Sequence, residues 1–255
     1  MAFAYIACAV TLLFVAVAEI GYRAGTRSRS CENENVRSQV SAVQASTLGL
    51  LALLLGFSMS MAESRFAARR EVLIAEAGAI ETTYLYADGL PEPARSQSRE
   101  LLRRYVGERR AFYVATADGA DAETWRAERI QAELMTVTSR LAHEHPDWDL
   151  SAGYLDRVTE MIRLEAARDL SLNARVPKTI YMLVLIVAIV AIGVSAYASG
   201  MVKTRSTLTL YVVPVLIAFA CIVIADLDLS RAGFISTGDR PMERLERTMT
   251  LDARR

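Results

Sequence analysis

Apolar and polar positions are segregated into long blocks along the chain. The first apolar block runs from Ala2 to Gly21. It is about 20 residues long, the length that crosses a bilayer core. A secretory signal is the rival reading, because Ala16-Val17-Ala18 has the small-x-small form of a cleavage site. No Lys or Arg precedes the block, whereas signals begin basic, so a membrane helix is expected. A polar loop follows, with Arg23, Arg27, Arg29 and Arg37 among Glu32, Asn33, Glu34 and Asn35. The second block is Ala42 to Ala62, uncharged throughout its centre, Leu48 to Phe57. Thr179 to Gly200 and Leu208 to Ala225 are the third and fourth. Pro214 lies inside the fourth, where neighbouring helices can satisfy the carbonyl it frees.

Between the second and third blocks the pattern stays helical but becomes charged. Glu63 to Glu71 holds no Pro or Gly, and strong helix formers continue toward Ala87. Gly89 and Pro91 then stop the helix. One unbroken helix of roughly 70 Å is expected, at 1.5 Å per residue. Glu92 to Thr116 predicts a further helix, closed by the turn Asp118-Gly119-Ala120-Asp121. Asp121 to His143 predicts another, with Asp121 as N-cap. Pro146 breaks it, and Asp149 to Asn173 follows with apolar residues at helical spacing. Pro241 to Arg247 reads as a short helix with Pro at its first position.

The expected fold is therefore all-α. Four transmembrane helices bracket a soluble antiparallel bundle inserted between the second and third. The segments are 1–63 (helices one and two), 64–177 (the bundle, continuous with helix two), 178–226 (helices three and four) and 227–255 (a polar C-terminal tail). Composition fits this segregation. Of 255 residues, 53% are hydrophobic while 23% are charged, a pairing that a uniformly mixed chain would not show. The 29 basic and 29 acidic residues cancel, so no basic excess argues for nucleic acid. Positive residues near the membrane ends do not set the orientation. Arg23, Arg27, Arg29, Arg37, Lys203 and Arg205 lie on one side; Arg65, Arg69, Arg70, Arg168, Arg175, Lys178 and Arg231 lie on the other. The first helix alone favours an N-terminus outside.

Catalytic chemistry is not legible. The chain lacks a Ser-His-Asp pattern, HExxH, GxGxxG and a phosphate loop, so no enzyme and no cofactor are expected. Cys8, Cys31 and Cys221 form no CxxC pair, which argues against a disulfide framework and a zinc site. His143, His145, Asp147 and Asp149 cluster around Pro146. A metal is the sharper reading; a solvated turn with Asp capping the next helix is the plainer and preferred one.

The second apolar block carries more information. Ala42, Ser46, Gly49, Leu53, Gly56, Ser60, Glu63 and Ala67 recur at intervals of four and three, which places them on one helix face. That face is small or polar except at Leu53. It suits close helix packing through small-xxx-small steps. The second reading, behind packing, is a pore wall, with Leu53 or Phe57 as a constriction that gates by dewetting. Glu63, Arg65, Arg69 and Arg70 would charge the mouth of such a pore; as plain surface they are snorkelling side chains. Glu19 is the one carboxylate inside an apolar block, about one turn from the polar loop, where acids serve function less often than at mid-membrane. Ala188, Ala191, Ser195 and Ser199, with Gly193, Ala196 and Gly200, form a small-residue stripe in the third block that favours packing. Asp226 and Asp228 close the fourth block, as a cation-attracting ring or a polar helix end.

These features resemble the bestrophin-like family of bacterial membrane proteins, and more distantly the bestrophin anion channels. The resemblance is carried by Leu48 to Ser60, then Arg65, Arg69, Arg70, Glu76-Ala77 and Tyr84. Leu90-Pro91, Leu102-Arg103-Arg104-Tyr105-Val106 and Arg175-Val176-Pro177 extend it. It implies a pentameric ion channel with four membrane helices, the second lining the pore, and with termini and soluble helices in the cytosol. The soluble part is smaller than in bestrophins, no acidic calcium clasp is present, and Phe57 stands without an aromatic triplet. Anion selectivity and calcium gating are therefore not carried over. The expectation is a homo-oligomeric ion channel of a bacterial inner membrane, in contact with the lipid bilayer and small ions. Its pore-lining residues would be Ser46, Gly49, Leu53, Gly56, Phe57 and Ser60. A membrane-anchored scaffold or sensor, whose bundle binds a protein partner, is the alternative. A secondary transporter fits less well, because no internal repeat is visible and the second span is uncharged.

Overall fold

The computed structural model describes residues 2–28, 34–114, 117–202, 207–229 and 239–253; the side chains of 2, 112–124 and 207–209 are not among those described. Arg29 to Asn33, Thr116, Lys203, Arg205 and Arg231, which the sequence places in loops or at helix ends, lie outside the described residues. All regular structure among the described residues is helical: α1 (Ala2–Arg27), α2 (Glu34–Ala87), α3 (Ala94–Val114), α4 (Ala117–Glu144), α5 (Asp149–Asn173), α6 (Lys178–Met201), α7 (Thr207–Asp228) and α8 (Arg240–Asp252). α1, the apolar part of α2, α6 and α7 are long and apolar enough to cross a membrane. α2 is unbroken over 54 residues, about 80 Å at 1.5 Å per residue. α5 has the bounds its periodicity predicts. α4 begins earlier than expected, at Ala117. The segment Asp118 to Asp121 is therefore helix, not turn, and Asp121 is not its N-cap. Acidic residues near a helix N-terminus are favoured by the helix dipole, which offsets the cost of Gly119.

The chain divides into two compact units. The first comprises residues 1–66 and 175–236. Its frame is α1 packed along α6 and α7. Glycines set the closeness of α1 and α6: a Cβ on Gly25 would stand 2.1 Å from the Tyr197 carbonyl oxygen, and one on Gly200 would stand 2.4 Å from that of Tyr22. Only glycine permits such an approach, the small-xxx-small mode of apolar helices. The packing expected of Ala188, Ala191 and Ala196 is present, all three being buried. Phe14, Ala18, Leu51 and Ile192 join them in one core. The other end is sealed by Ala62, Val176, Ile224 and Leu227.

The second unit comprises residues 67–174 and 237–255. The later part of α2 joins α3, α4 and α5 around Ile80, Tyr105, Leu134, Tyr154 and Met161. A fifth helix belongs to this core. α8 buries Met242, Leu245 and Met249 in it. These apolar positions recur at intervals of three and four, one stripe on an otherwise charged helix. Arg110 adds ion pairs to Asp239 and Glu246, and Arg99 adds pairs to Asp88 and Asp252.

Candidate functional site

The helix face singled out in the sequence is left open. Ala42, Ser46, Gly49, Leu53, Gly56, Ser60 and Glu63 are all exposed, Leu53 at 56%. A Cβ built on Gly49 or Gly56 would meet nothing within 4 Å. At 100° per residue, Leu51, Ser58 and Ala62 stand about 160–200° away, and these are the buried residues. α2 thus packs on one ridge and presents the small, polar ridge directly opposite. Phe57 flanks the open face, 66% exposed. The Ser46 hydroxyl donates to the Ala42 carbonyl at 2.9 Å, which satisfies its proton and leaves its oxygen toward the open side.

The four charges expected together at the end of this face are parted by the helix. Glu63 and Arg70 are exposed on or beside the open ridge. Arg65 is half-buried and Arg69 is 3% exposed, both on the packed side of α2. Their spacing from Ala62 places them there: three and seven residues on, they repeat the buried ridge.

Glu19 is paired. Its Oε1 accepts from Arg23 Nε at 2.8 Å, and its Oε2 accepts from the Tyr211 hydroxyl at 3.0 Å. The carboxylate joins α1 to α7, and Arg23 reaches it from one turn on. Asp226 and Asp228 are buried, and Asp228 Oδ1 accepts the Val176 backbone N–H at 2.9 Å. They face into the chain.

His143 and His145 are exposed beside the α4–α5 turn, with His145 edge-on to Trp148 at 5.3 Å between ring centroids. Trp148, not an Asp, occupies the N-cap of α5 and makes no side-chain cap; the Ser151 hydroxyl instead donates to the Trp148 carbonyl at 2.7 Å.

A charge network that periodicity does not reveal lies in the second unit. Glu76 of α2, Arg109 of α3, and Glu165 and Arg168 of α5 are buried. Arg109 contacts Glu76 and Glu165 at 2.9 Å each and Asp169 at 3.5 Å. Arg168 contacts the other Glu76 oxygen at 2.5 Å. Gln131 of α4 donates to Glu165 and to the Tyr105 hydroxyl. Burial opposes the charge on Arg109, but Glu76, Tyr105, Glu165 and Asp169 together outweigh it, and its pKa rises. Burial raises the Glu165 carboxyl above the usual range, against the pull of Arg109 and Gln131. The only sequence signal for these residues is charge at helix positions that also carry apolar neighbours.

The model for the Bestrophin-like domain matches residues 7–242. No curated protein matches the chain. Among solved structures, a bacterial bestrophin homologue from Klebsiella pneumoniae with a tryptophan-to-alanine substitution superposes at a TM-score of 0.69 and 15% identity, covering 99% of this chain and 97% of that one. A tyrosine-to-alanine form of such a homologue gives 0.67 at 16% identity over 95% and 97%. At that identity the likeness shows the fold. With the family match spanning nearly all of it, this chain belongs to the Bestrophin-like family.

Proposed function

We propose that the chain is one subunit of a homo-oligomeric ion channel, with the open face of α2 lining the pathway. The carrying observation is that this face, small and polar, has no partner among the described residues, while the opposite ridge is packed. Glycine inside a helix costs about 1 kcal/mol relative to alanine. Among the described residues Gly49 and Gly56 gain no close packing that would offset this, so we place their use in what the face meets outside the chain. Copies arranged around an axis would turn Ser46, Gly49, Gly56 and Ser60 toward a central path. Leu53, flanked by Phe57, would narrow it, and Glu63 and Arg70 would edge its mouth. Arg65 and Arg69, on the packed side, would stand behind that wall. Four spans in a bacterial inner membrane, a cytosolic second unit and a pentamer complete the reading, which the resemblance to bestrophin anion channels supports. Trp125 and Leu170, 73% and 74% exposed on the second unit, favour the alternative of a scaffold that docks a protein partner.

Flux from liposomes containing the purified protein tests the two. Chloride and potassium gradients are applied separately, and the oligomer mass is measured on the same sample. The channel reading expects flux from a defined ring, and Gly56→Leu to abolish it at unchanged mass, because the single chain has room for the side chain. A well-folded protein that passes neither ion moves the assignment to the scaffold.

A further inference from the structure

The first unit holds a half-open apolar cavity of about 190 Å³ on the packed side of α2. Ile6 and Ala7 of α1, Ser58 of α2, Val184 of α6, and Cys221 and Ala225 of α7 are in its wall. The Ser58 hydroxyl donates to the Leu54 carbonyl of its own helix at 2.7 Å, which satisfies its proton. Tyr181 and Cys221 add one polar atom each to a wall that is otherwise hydrocarbon. Against these three polar side-chain atoms the remaining lining side chains are all hydrocarbon, so most of the surface an occupant would meet is apolar. An apolar cavity of about 150 Å³ stays dry and accepts an apolar guest of benzene size. This one is larger, and left empty it would forfeit dispersion contacts on every wall.

The mouth identifies the guest. Ile6, 61% exposed, is at once part of the wall and of the outer surface of α1, and so stands at it. With α1 spanning a bilayer, the medium at that mouth is hydrocarbon, present at a concentration no solute approaches. We propose that the cavity is a binding site for the acyl chain of a membrane lipid, inserted past Ile6 to lie behind Ser58. This deepens the channel reading and rests on it for its consequence. Ser58 is on the back of α2, two residues from both Gly56 and Ser60 on the open face. A seated chain therefore limits how far α2 withdraws from the pathway, and lipid occupancy tunes the flux.

Photo-crosslinking tests the site. The full chain is reconstituted in phosphatidylethanolamine–phosphatidylglycerol vesicles doped with a phosphatidylglycerol carrying a diazirine on its acyl chain, irradiated, and mapped by peptide mass spectrometry. Labels are expected on Val184 and the Cys221–Ala225 turn, besides the lipid-facing Leu12 and Leu216. Ala225→Phe and Ala7→Phe fill the cavity from different helices. In whichever of them assembles at wild-type mass, the cavity labels should be lost and those on Leu12 and Leu216 kept. Labels confined to Leu12 and Leu216 in the wild type, or cavity labels that persist in the filled variants, overturn the site. A short diazirine alkanol that labels the cavity where the lipid does not also overturns it, in favour of a free apolar solute. Flux in the same vesicles separates this site from the pore. Cavity labelling without flux keeps the site and removes the pore; flux without cavity labelling does the reverse. Where both are present, a filled variant with wild-type flux overturns the tuning role.

Discussion

Buried charge is the costliest choice made by single residues here. Arg109 is 1% exposed and holds two carboxylates from different helices. Removing one partner of a buried pair leaves the other charge without compensation, at about 3–5 kcal/mol. Arg109→Met should therefore destabilise the protein by that order, read as a shift in its denaturant midpoint. A change within experimental error would mean that the network contributes nothing net. Glu165 adds a pH dependence. Burial raises its carboxyl in the folded state, so the native form binds this proton more tightly than the unfolded chain. The contribution is complete below the ordinary glutamate range and is lost as pH rises through the raised value. The Tm of wild type relative to Glu165→Gln should fall as pH is raised from that range to neutrality; parallel curves would remove Glu165 as the cause. None of this was legible in the sequence. Glu76 and Arg109 sit 33 residues apart, and no spacing rule relates charges on separate helices.

Among the helices, glycine has opposite uses in α1 and α2, and one pair of substitutions separates them. Gly25→Leu drives a side chain into the Tyr197 carbonyl and should prevent assembly of the first unit, seen as loss of monodisperse protein after extraction. Gly49→Ala meets open space and should be tolerated by the fold, raising stability by up to about 1 kcal/mol through helix propensity alone. If both variants behave alike, the close approach of α1 to α6 is not what orders the unit. The small stripe of α6 was readable as a packing face because Ala and Gly recur there at helical spacing. Its partner surface on α1 was not, because Gly21 read as the end of an apolar block and Gly25 fell in the polar loop after it, rather than as half of an interface. α8 shows the same limit. Its length, 13 residues, and its place in the second core follow from Met242, Leu245 and Met249 meeting a surface that exists only once the other helices have gathered.

For the whole molecule, the decisive property is which face of α2 remains open. If copies of that face enclose the pathway, Leu53 is the one large apolar residue on the face itself, flanked by Phe57, and a hydrophobic constriction resists wetting. Leu53→Ser should then raise the flux from reconstituted vesicles at unchanged oligomer mass. A lower or equal rate would place the limiting barrier elsewhere.

The sequence by itself determined the all-helical class, the four apolar helices, the unbroken passage of α2 from apolar to charged residues, and the family. The helical features depend on composition and period along one segment, for which local patterning is enough; the family rests on the resemblance carried by particular residues between Leu48 and Pro177. It also determined that one face of α2 is small and polar. Tertiary structure decided that this face stays open while the ridge across from it packs. It also decided that Arg65 and Arg69 turn away while Glu63 and Arg70 do not, that Glu19 binds Tyr211, and that four buried charges from three helices meet. Those outcomes depend on which surfaces come to adjoin, and a one-dimensional pattern shows which faces want a neighbour but not which neighbour they obtain.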